Sequence, residues 1–181
     1  MILPNSIFPV QGRLRVFLTG GTIDAASISA DGTYYFGKTH FPKMRRQARM
    51  NKSRVWDDIL MLKDSNYMND ADRKLIFRNC KGAKEKRILI LHGTDTIVQT
   101  AAYLARNFDP VSLSGKTIVL IGSIVPYNQL NSEAMFNFGC GQMATQLLSS
   151  GIYIVMNGEV FNWNEVRKNR KLQVFEKNKP R

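Results

Sequence analysis

Arg87-Ile88-Leu89-Ile90-Leu91 runs directly into His92-Gly93-Thr94-Asp95-Thr96 and then into Ile97. The first five residues form an apolar run of strand length with no polar alternation. Only a strand covered on both faces can use such a run. Beyond the polar turn, Ile97, Ala101, Leu104, Ala105 and Phe108 recur at helical spacing, and Pro110 closes the segment. A buried strand, a polar turn and an amphipathic helix, in that order, is the unit from which parallel sheets are built.

The same unit recurs on either side. Downstream, Thr117 to Ile121 is another unbroken apolar run, ended by Gly122. A helix is predicted from about Ser132 to Leu148, with Phe136, Cys140, Met143 and Leu147 on one face. Gly151 ends it, and Ile152 to Met156 reads as a further strand. Upstream, Arg13 to Thr19 is a strand that ends at Gly20-Gly21. The polar stretch from about 25 to 54 is too long for a passive connection and reads as a functional loop or lid. Trp56 to Leu62 predicts a short helix. Asn69 and Asp70 are good caps for a helix through Cys80, ended by Gly82. The expectation is an α/β fold, a parallel sheet flanked by helices on both faces, in a single domain over 1–181. Function is then expected in the loops at the carboxyl ends of the strands.

The chain has 181 residues, 44% hydrophobic and 22% charged, the balance of a globular protein rather than a disordered one. Its unusual feature is charge: 26 Lys and Arg against 14 Asp and Glu, a net of +12. Alone, that suggests a partner of opposite sign such as nucleic acid. The excess is local, however. Lys43, Arg45, Arg46, Arg49, Lys52 and Arg54 crowd the lid with no acid among them. Arg167, Lys168, Arg170, Lys171, Lys177, Lys179 and Arg181 crowd a C-terminal tail, against Glu176 alone. The rest of the chain is neutral.

No apolar run approaches a membrane span, and Met1 to Ser6 lacks the form of a signal peptide. A cytoplasmic protein is expected. Cys80 and Cys140 read as small buried residues of predicted helices, and His40 and His92 lie far apart. A metal site is therefore not expected, and no cofactor is.

Three polar clusters fall at strand ends or starts. Thr19-Gly20-Gly21-Thr22-Ile23-Asp24 sets a hydroxyl in a glycine turn whose amides offer donors for an oxyanion; glycine turns also bind phosphate or merely end strands. His92-Gly93-Thr94-Asp95-Thr96 adds a hydroxyl and a carboxylate at the same end of the sheet, although Asp95 or Thr96 also suits a helix cap. His92 itself reads as structural. Lys116 stands before the Thr117 strand, a place where lysines are usually solvated.

In this order the clusters resemble the bacterial-type L-asparaginase family. The resemblance extends through Lys63-Asp64-Ser65-Asn66-Tyr67-Met68-Asn69-Asp70, Pro126, Phe136-Asn137 and Val155-Met156-Asn157-Gly158-Glu159-Val160, from about Val16 to Phe175. It implies the Rossmann- or flavodoxin-like N-terminal domain of that family, in a short single-domain form without the C-terminal domain. It implies hydrolysis of L-asparagine, with L-glutamine as a lesser substrate, to the acid and ammonia. Thr22 would be the nucleophile, with Thr94, Asp95 and Lys116 as a second catalytic group. Gly21, Ser65, Asn66, Gly93, Thr94 and Asp95 would bind substrate, Ser65 at its α-carboxylate and Asp95 at its α-ammonium. Tyr34 and Tyr35 are candidates for a lid tyrosine. A homo-oligomer, dimer or tetramer, is expected to close the site.

The chemistry behind this is general. A threonine hydroxyl is a weak nucleophile and needs a base or a proton path. A lysine serves as base only when neutral, which desolvation favours and a nearby carboxylate opposes. Departures from the family pattern are Tyr67, where Asp is usual, Asn66 for Gln, and Ile124-Val125-Pro126 for Met-Arg-Pro. The alternative function is a scaffold with altered chemistry whose basic segments bind nucleic acid or an acidic partner. Those segments lack the interleaved aromatics of a base-stacking surface.

Overall fold

The computed structural model describes residues 12–178. Six strands form the central sheet: β1 (Leu14–Gly20), β4 (Val55–Lys63), β5 (Arg87–Leu91), β6 (Thr117–Ile121), β7 (Gly151–Met156) and β8 (Glu159–Asn162). Their spatial order is β4-β1-β5-β6-β7-β8. The first five are parallel, and β8 pairs antiparallel to β7 at one edge. The α/β expectation holds, with this one antiparallel addition. From β1 the chain moves outward to β4, then crosses back over β1 to β5. The order therefore reverses between β1 and β5, the place where such sheets bind ligands.

Alternation along each strand divides the core in two. Phe17 of β1, Ile88 and Ile90 of β5, and Ile118 and Leu120 of β6 face one side. There they meet Ile76 and Cys80 of α2 (Asp70–Gly82) and Ile97, Ala101 and Leu104 of α3 (Ile97–Asn107). Leu89, Leu91, Val119 and Ile121 face the other side. They meet Phe41 and Met44 of α1 (Phe41–Gln47) and Ala134, Phe138 and Ala144 of α5 (Ala134–Leu147). A short α4 (Pro110–Leu113) links α3 to β6. α2 starts as its sequence requires: Asn69 accepts from the Ala71 and Asp72 amides, and Asp72 reaches back to the Asn69 amide.

Two expectations fail here. The predicted helix at Trp56–Leu62 is strand β4, paired in parallel with β1 from Leu14↔Val55 to Leu18↔Ile59. Its apolar run is too short for periodicity to separate helix from strand. Tertiary partners decide it: Arg15 binds Asp58 at 2.6 Å, and the Arg13 and Arg15 guanidinium groups lie over the Trp56 ring. The second failure is the inward face of α5. Phe136, Met143 and Leu147 are about half exposed. The buried face is Ala134, Asn137, Phe138, Gly141, Ala144 and Thr145. Close approach selects it: a Cβ on Gly141 would lie 2.5 Å from the Ile121 side chain. Asn137 is needed inward, where it donates to the Gly122 carbonyl at 3.0 Å and accepts from the Asn157 amide at 3.0 Å.

The lid is partly core. Its first half is a hairpin of β2 (Ser27–Ile28) and β3 (Tyr34–Tyr35), and its second half is α1, anchored by fully buried Phe41 and Met44. The basic residues of the lid project from this anchored helix and its neighbouring turn, and Arg45 pairs with Asp57 at 3.1 Å.

The tail, as far as it is described, is not a loose appendage. Val166–Asn169 (β9) and Val174–Lys177 (β10) form an antiparallel hairpin. Val166 and Phe175 are buried in the same core face as Phe161. Lys179 and Arg181 lie outside the described residues.

Candidate active site

The site is built where three backbone turns meet at the carboxyl ends of β1, β4 and β5. Gly20 and Gly21 have φ of 85° and 75°, a region that glycine enters freely. A Cβ on Gly21 would lie 2.2 Å from Gly93 Cα, and one on Gly93 would lie 2.5 Å from Ser65 Oγ. Backbone thus packs on backbone, and any side chain would force the turns apart. Gly21 N–H donates to the Lys63 carbonyl at 2.9 Å. Asp24 and Ala25 donate to the Gly21 and Thr22 carbonyls, closing a 3-10 turn over Thr22–Asp24. These three amides are consumed, so the expected supply of free donors in this turn does not include them. The turn presents Thr22, 7% exposed, to the cavity. Asp24 is buried beneath it and accepts from the His40 amide at 2.5 Å, tying the turn to the lid.

The β5 turn is held from behind by His92. Its Nδ1 donates to the Gly93 carbonyl at 2.8 Å, since a carbonyl only accepts. Nε2 therefore accepts from the Thr100 hydroxyl, also at 2.8 Å. Burial drives the imidazole toward its neutral form and pushes its pKa down to about 4. His92 is a structural member, as its sequence context suggests. The loop after β4 is tied to the β5 turn as well: Thr96 Oγ1 donates to the Ser65 carbonyl at 2.9 Å, and Asn66 Nδ2 to Asp95 Oδ2 at 3.3 Å. Ser65 is buried, while Tyr67 is 74% exposed.

The lysine in this site is Lys168, not Lys116. Lys168 Nζ donates to Thr94 Oγ1 at 2.8 Å and to Asp95 Oδ1 at 2.9 Å. Lys116 lies at the amino end of β6, roughly 16 Å of strand away from the turns. Its Nζ donates to the Ala83 carbonyl at 2.5 Å and reaches the Glu85 carbonyl at 3.5 Å. Ala83 caps α2, so the ammonium sits at a helix C-terminus, where a cation is favoured. Burial and the Lys86 charge lower its pKa, with Cys80 and Glu85 opposing. A lysine preceding a strand is at the wrong end of a parallel sheet to meet residues that follow a strand.

Lys168 was concealed by composition, because it lies in a run of basic residues that reads as a tail. A signal was present: Val166–Asn169 and Val174–Lys177 are two strand-like runs separated by four polar-rich residues, the pattern of a hairpin.

The cavity at this point has a volume of about 160 Å³ and is lined by Thr22, Tyr34, Thr94, Asp95, Ile124, Lys168, Arg170 and Gln173. Of the two lid tyrosines, Tyr34 lines it, and Tyr35 is 56% exposed. Burial works against the charge of Asp95, but hydrogen bonds from Lys168 and Asn66 and the charges of Lys168 and Arg170 hold its carboxyl below the ordinary range. The site thus offers two buried hydroxyls, a charged carboxylate and a lysine joined to both Thr94 and Asp95. Among the described residues, no three His, Cys, Asp or Glu side chains come together as a metal ion would require.

Fold and site together define an α/β protein whose chemistry sits at the switch point of a parallel sheet. The chain belongs to the asparaginase family: the model of the N-terminal asparaginase domain matches residues 13–179. It is 27% identical to the glutaminase-asparaginase of Pseudomonas fluorescens biotype A, over 88% of this chain and 47% of that protein. It is also 27% identical to L-asparaginase 2 of Escherichia coli K12, over 86% of this chain and 46% of that one. The chain therefore spans about half the length of the curated relatives it matches. Among solved structures, the thermostable L-asparaginase of Thermococcus kodakarensis superimposes with a TM-score of 0.78 at 24% identity, covering 93% of this chain and 52% of the other. L-asparaginase I of Vibrio cholerae gives 0.77 at 24% identity over the same shares. A probable cytoplasmic L-asparaginase of Campylobacter jejuni gives 0.76 at 20%, over 92% of this chain and 53% of that one.

Proposed function

We propose that this chain is an amidohydrolase acting on the side-chain amide of asparagine, releasing ammonia and leaving aspartate. The observation that carries this reading is the convergence of Thr22, Thr94, Asp95 and Lys168 on one small cavity at the switch point. Thr22 attacks the amide carbonyl carbon, its oxygen forming the new ester bond as the C–N bond breaks. The hydroxyl proton ends on the departing ammonia. Water then attacks the ester and restores the Thr22 hydroxyl. Thr94 is hydrogen-bonded to Lys168, so a proton leaving a hydroxyl or water at Thr94 has a path to the Lys168–Asp95 pair. Lys168 takes the place that the family resemblance assigns to Lys116. Tyr34 is the lid tyrosine in this reading, while Ser65 and Asn66, which are not among the residues that line the cavity, brace the β5 turn through Thr96 and Asp95.

A cytoplasmic homo-oligomer belongs to the same reading. The nucleic-acid alternative is not favoured: Lys168 and Arg170 of the basic tail point into the cavity, and Arg45 of the basic lid is paired with Asp57.

The test is ammonia release from L-asparagine, L-glutamine and N-acetyl-L-asparagine by the purified chain, with Thr22→Ala as control. Release from at least one amide, lost in Thr22→Ala, is expected. Rates equal to the control on all three would overturn the proposal.

A further inference from the structure

The amino end of the sheet, opposite the candidate active site, holds a separate cavity of about 190 Å³. Leu14, Val55 and Arg87, the first residues of β1, β4 and β5, stand side by side in the strand register and line it. Alternation turns Arg87 to the same face as Leu89 and Leu91, the face that packs on α5. Gln142, Thr145 and Gln146 from the last turns of α5 line the cavity too. Asn51 and Arg54, at the end of the lid, complete its polar wall.

Two cations line this cavity and no acid does. Three carboxylates near this end of the sheet are engaged elsewhere: Arg15 holds Glu85 at 3.1 Å and Asp58 at 2.6 Å, and Arg45 holds Asp57 at 3.1 Å. Residues 1–11, which precede Gly12 of the lining, include no acid that could offset the two arginines. The C-terminal turn of α5 brings about half a negative charge at most, against two full positive ones. Arg87 Nε is buried and has no hydrogen-bond partner among the described residues. A guanidinium stays charged and carries five N–H donors, and a buried donor without an acceptor is destabilising. Burial, and then the charge of Arg54, push Arg87 below its ordinary pKa, so nothing here compensates either cation for the other.

We propose that this cavity binds a phosphate group, free or as a monoester, held by the guanidinium groups of Arg87 and Arg54. A phosphate monoester carries about −1.5 to −2 charges near neutral pH and three acceptor oxygens. It therefore matches two guanidinium groups in charge, and arginine makes paired N–H···O bonds with phosphate. Asn51 Oδ1 accepts from the Ser53 amide and hydroxyl, which leaves Nδ2 to donate to the ligand. The volume is below the roughly 300 Å³ of sites for drug-sized ligands. The cavity thus suits one phosphate group, with any organic part left outside. The site lies a strand's length from the turns that carry Thr22 and Thr94, and it does not depend on the amidohydrolase reading.

Calorimetric titration of the full chain with inorganic phosphate, glycerol 3-phosphate and succinate tests the site, in about 0.15 M chloride to screen loose surface attraction. One-to-one binding of a phosphate probe is expected, with Kd below about 1 mM and succinate at least fivefold weaker. Arg87→Gln should weaken phosphate binding at least tenfold. Arg87→Lys, which keeps the charge but not the fork, should fall between Arg87→Gln and the wild type. Arg54→Gln, at an exposed position that leaves the core intact, should weaken binding at least threefold. Lys84→Gln removes an exposed charge outside the lining, and Arg170→Ala alters the other cavity; both should change affinity less than twofold. Equal affinity for the two phosphate probes assigns free phosphate, and at least fivefold tighter glycerol 3-phosphate assigns a phosphorylated metabolite. Absence of saturable binding by either phosphate probe overturns the proposal, as does succinate binding more tightly than both. A loss in Arg170→Ala with none in Arg87→Gln also overturns it, by moving the anion to the candidate active site. Equal losses in Lys84→Gln and Arg54→Gln do the same, by leaving only general charge attraction.

Discussion

Each end of the sheet holds one nearly buried lysine, and the two differ in what they touch. At the amino end, Lys116 is 7% exposed and its ammonium is spent on the carbonyls of Ala83 and Glu85. At the carboxyl end, Lys168 has a side chain 10% exposed and is spent on a hydroxyl and a carboxylate that both line a cavity. Burial is nearly equal, so burial does not tell the two apart. Partners do: main-chain carbonyls fix a lysine for structure, while a hydroxyl partner gives it a proton to exchange. The same contrast separates Glu85 from Asp95. Glu85 is locked to Arg15 at 3.1 Å at the amino end of the sheet.

The sharpest way to break this comparison is to remove each lysine in turn. Lys168→Met is expected to lower kcat for ammonia release by about 10²–10⁴-fold, the usual worth of a positioned proton-transfer group. Lys116→Met is expected to leave kcat within about twofold. It should lower folding stability by about 1–3 kcal/mol, because two carbonyls lose their donor. Steady-state kinetics and urea unfolding of both variants decide it. Equal losses of kcat would mean that the amino end is coupled to the chemistry.

A second variant asks whether Lys168 depends on the hairpin that carries it. Phe175 is Lys168's cross-strand partner and is 2% exposed in the core. Phe175→Ala should cost about 3–5 kcal/mol through the cavity it leaves. Loss of that anchor should also release Lys168, so kcat falls more than it does in Phe41→Ala, an equally buried truncation in the lid helix. If melting temperatures fall alike and kcat does not separate the two variants, the hairpin holds Lys168 by other means.

How much of this was legible in the sequence follows from the same contrast. The central strands were legible to the residue: Arg87–Leu91 and Thr117–Ile121 are apolar on both faces, and nothing else in a fold can use them. That Thr22, Thr94 and Asp95 meet at one cavity was legible, because each follows a strand of the parallel sheet. Edges were not. β4 shows Trp56, Asp57 and Asp58 to solvent or to ion pairs, so its pattern has no clean period. α5 turns small and polar residues inward for close packing and for Asn137, which inverts the usual apolar rule. Lys168 was hidden because it shares its chemistry with six other basic residues in the tail, and only the pairing of β9 with β10 singles it out. The family resemblance points to Lys116 instead, although a lysine before a strand stands at the far end of the sheet.

His92 extends the comparison to a group that lies inside the site and yet belongs to the scaffold. It is fully buried and neutral, bonded to Gly93 and Thr100 rather than to anything in the cavity. Its pKa is pushed down to about 4 from an ordinary 6.5. The sign of the pH effect follows. Below pH 6.5 the unfolded chain takes up a proton that the folded chain refuses, so stability falls as pH falls. The loss continues until the folded imidazole also titrates near pH 4. At 1.36 kcal/mol per pH unit, the difference is worth about 3 kcal/mol. Unfolding free energies at pH 7.5, 6.5, 5.5 and 4.5 should therefore drop more steeply for the wild type than for His92→Gln, which keeps a donor and an acceptor but cannot titrate. Parallel curves would show that the imidazole finds a partner for its second proton. That would move His92 from the scaffold to the chemistry and erase the distinction drawn between groups that face a carbonyl and groups that face the cavity.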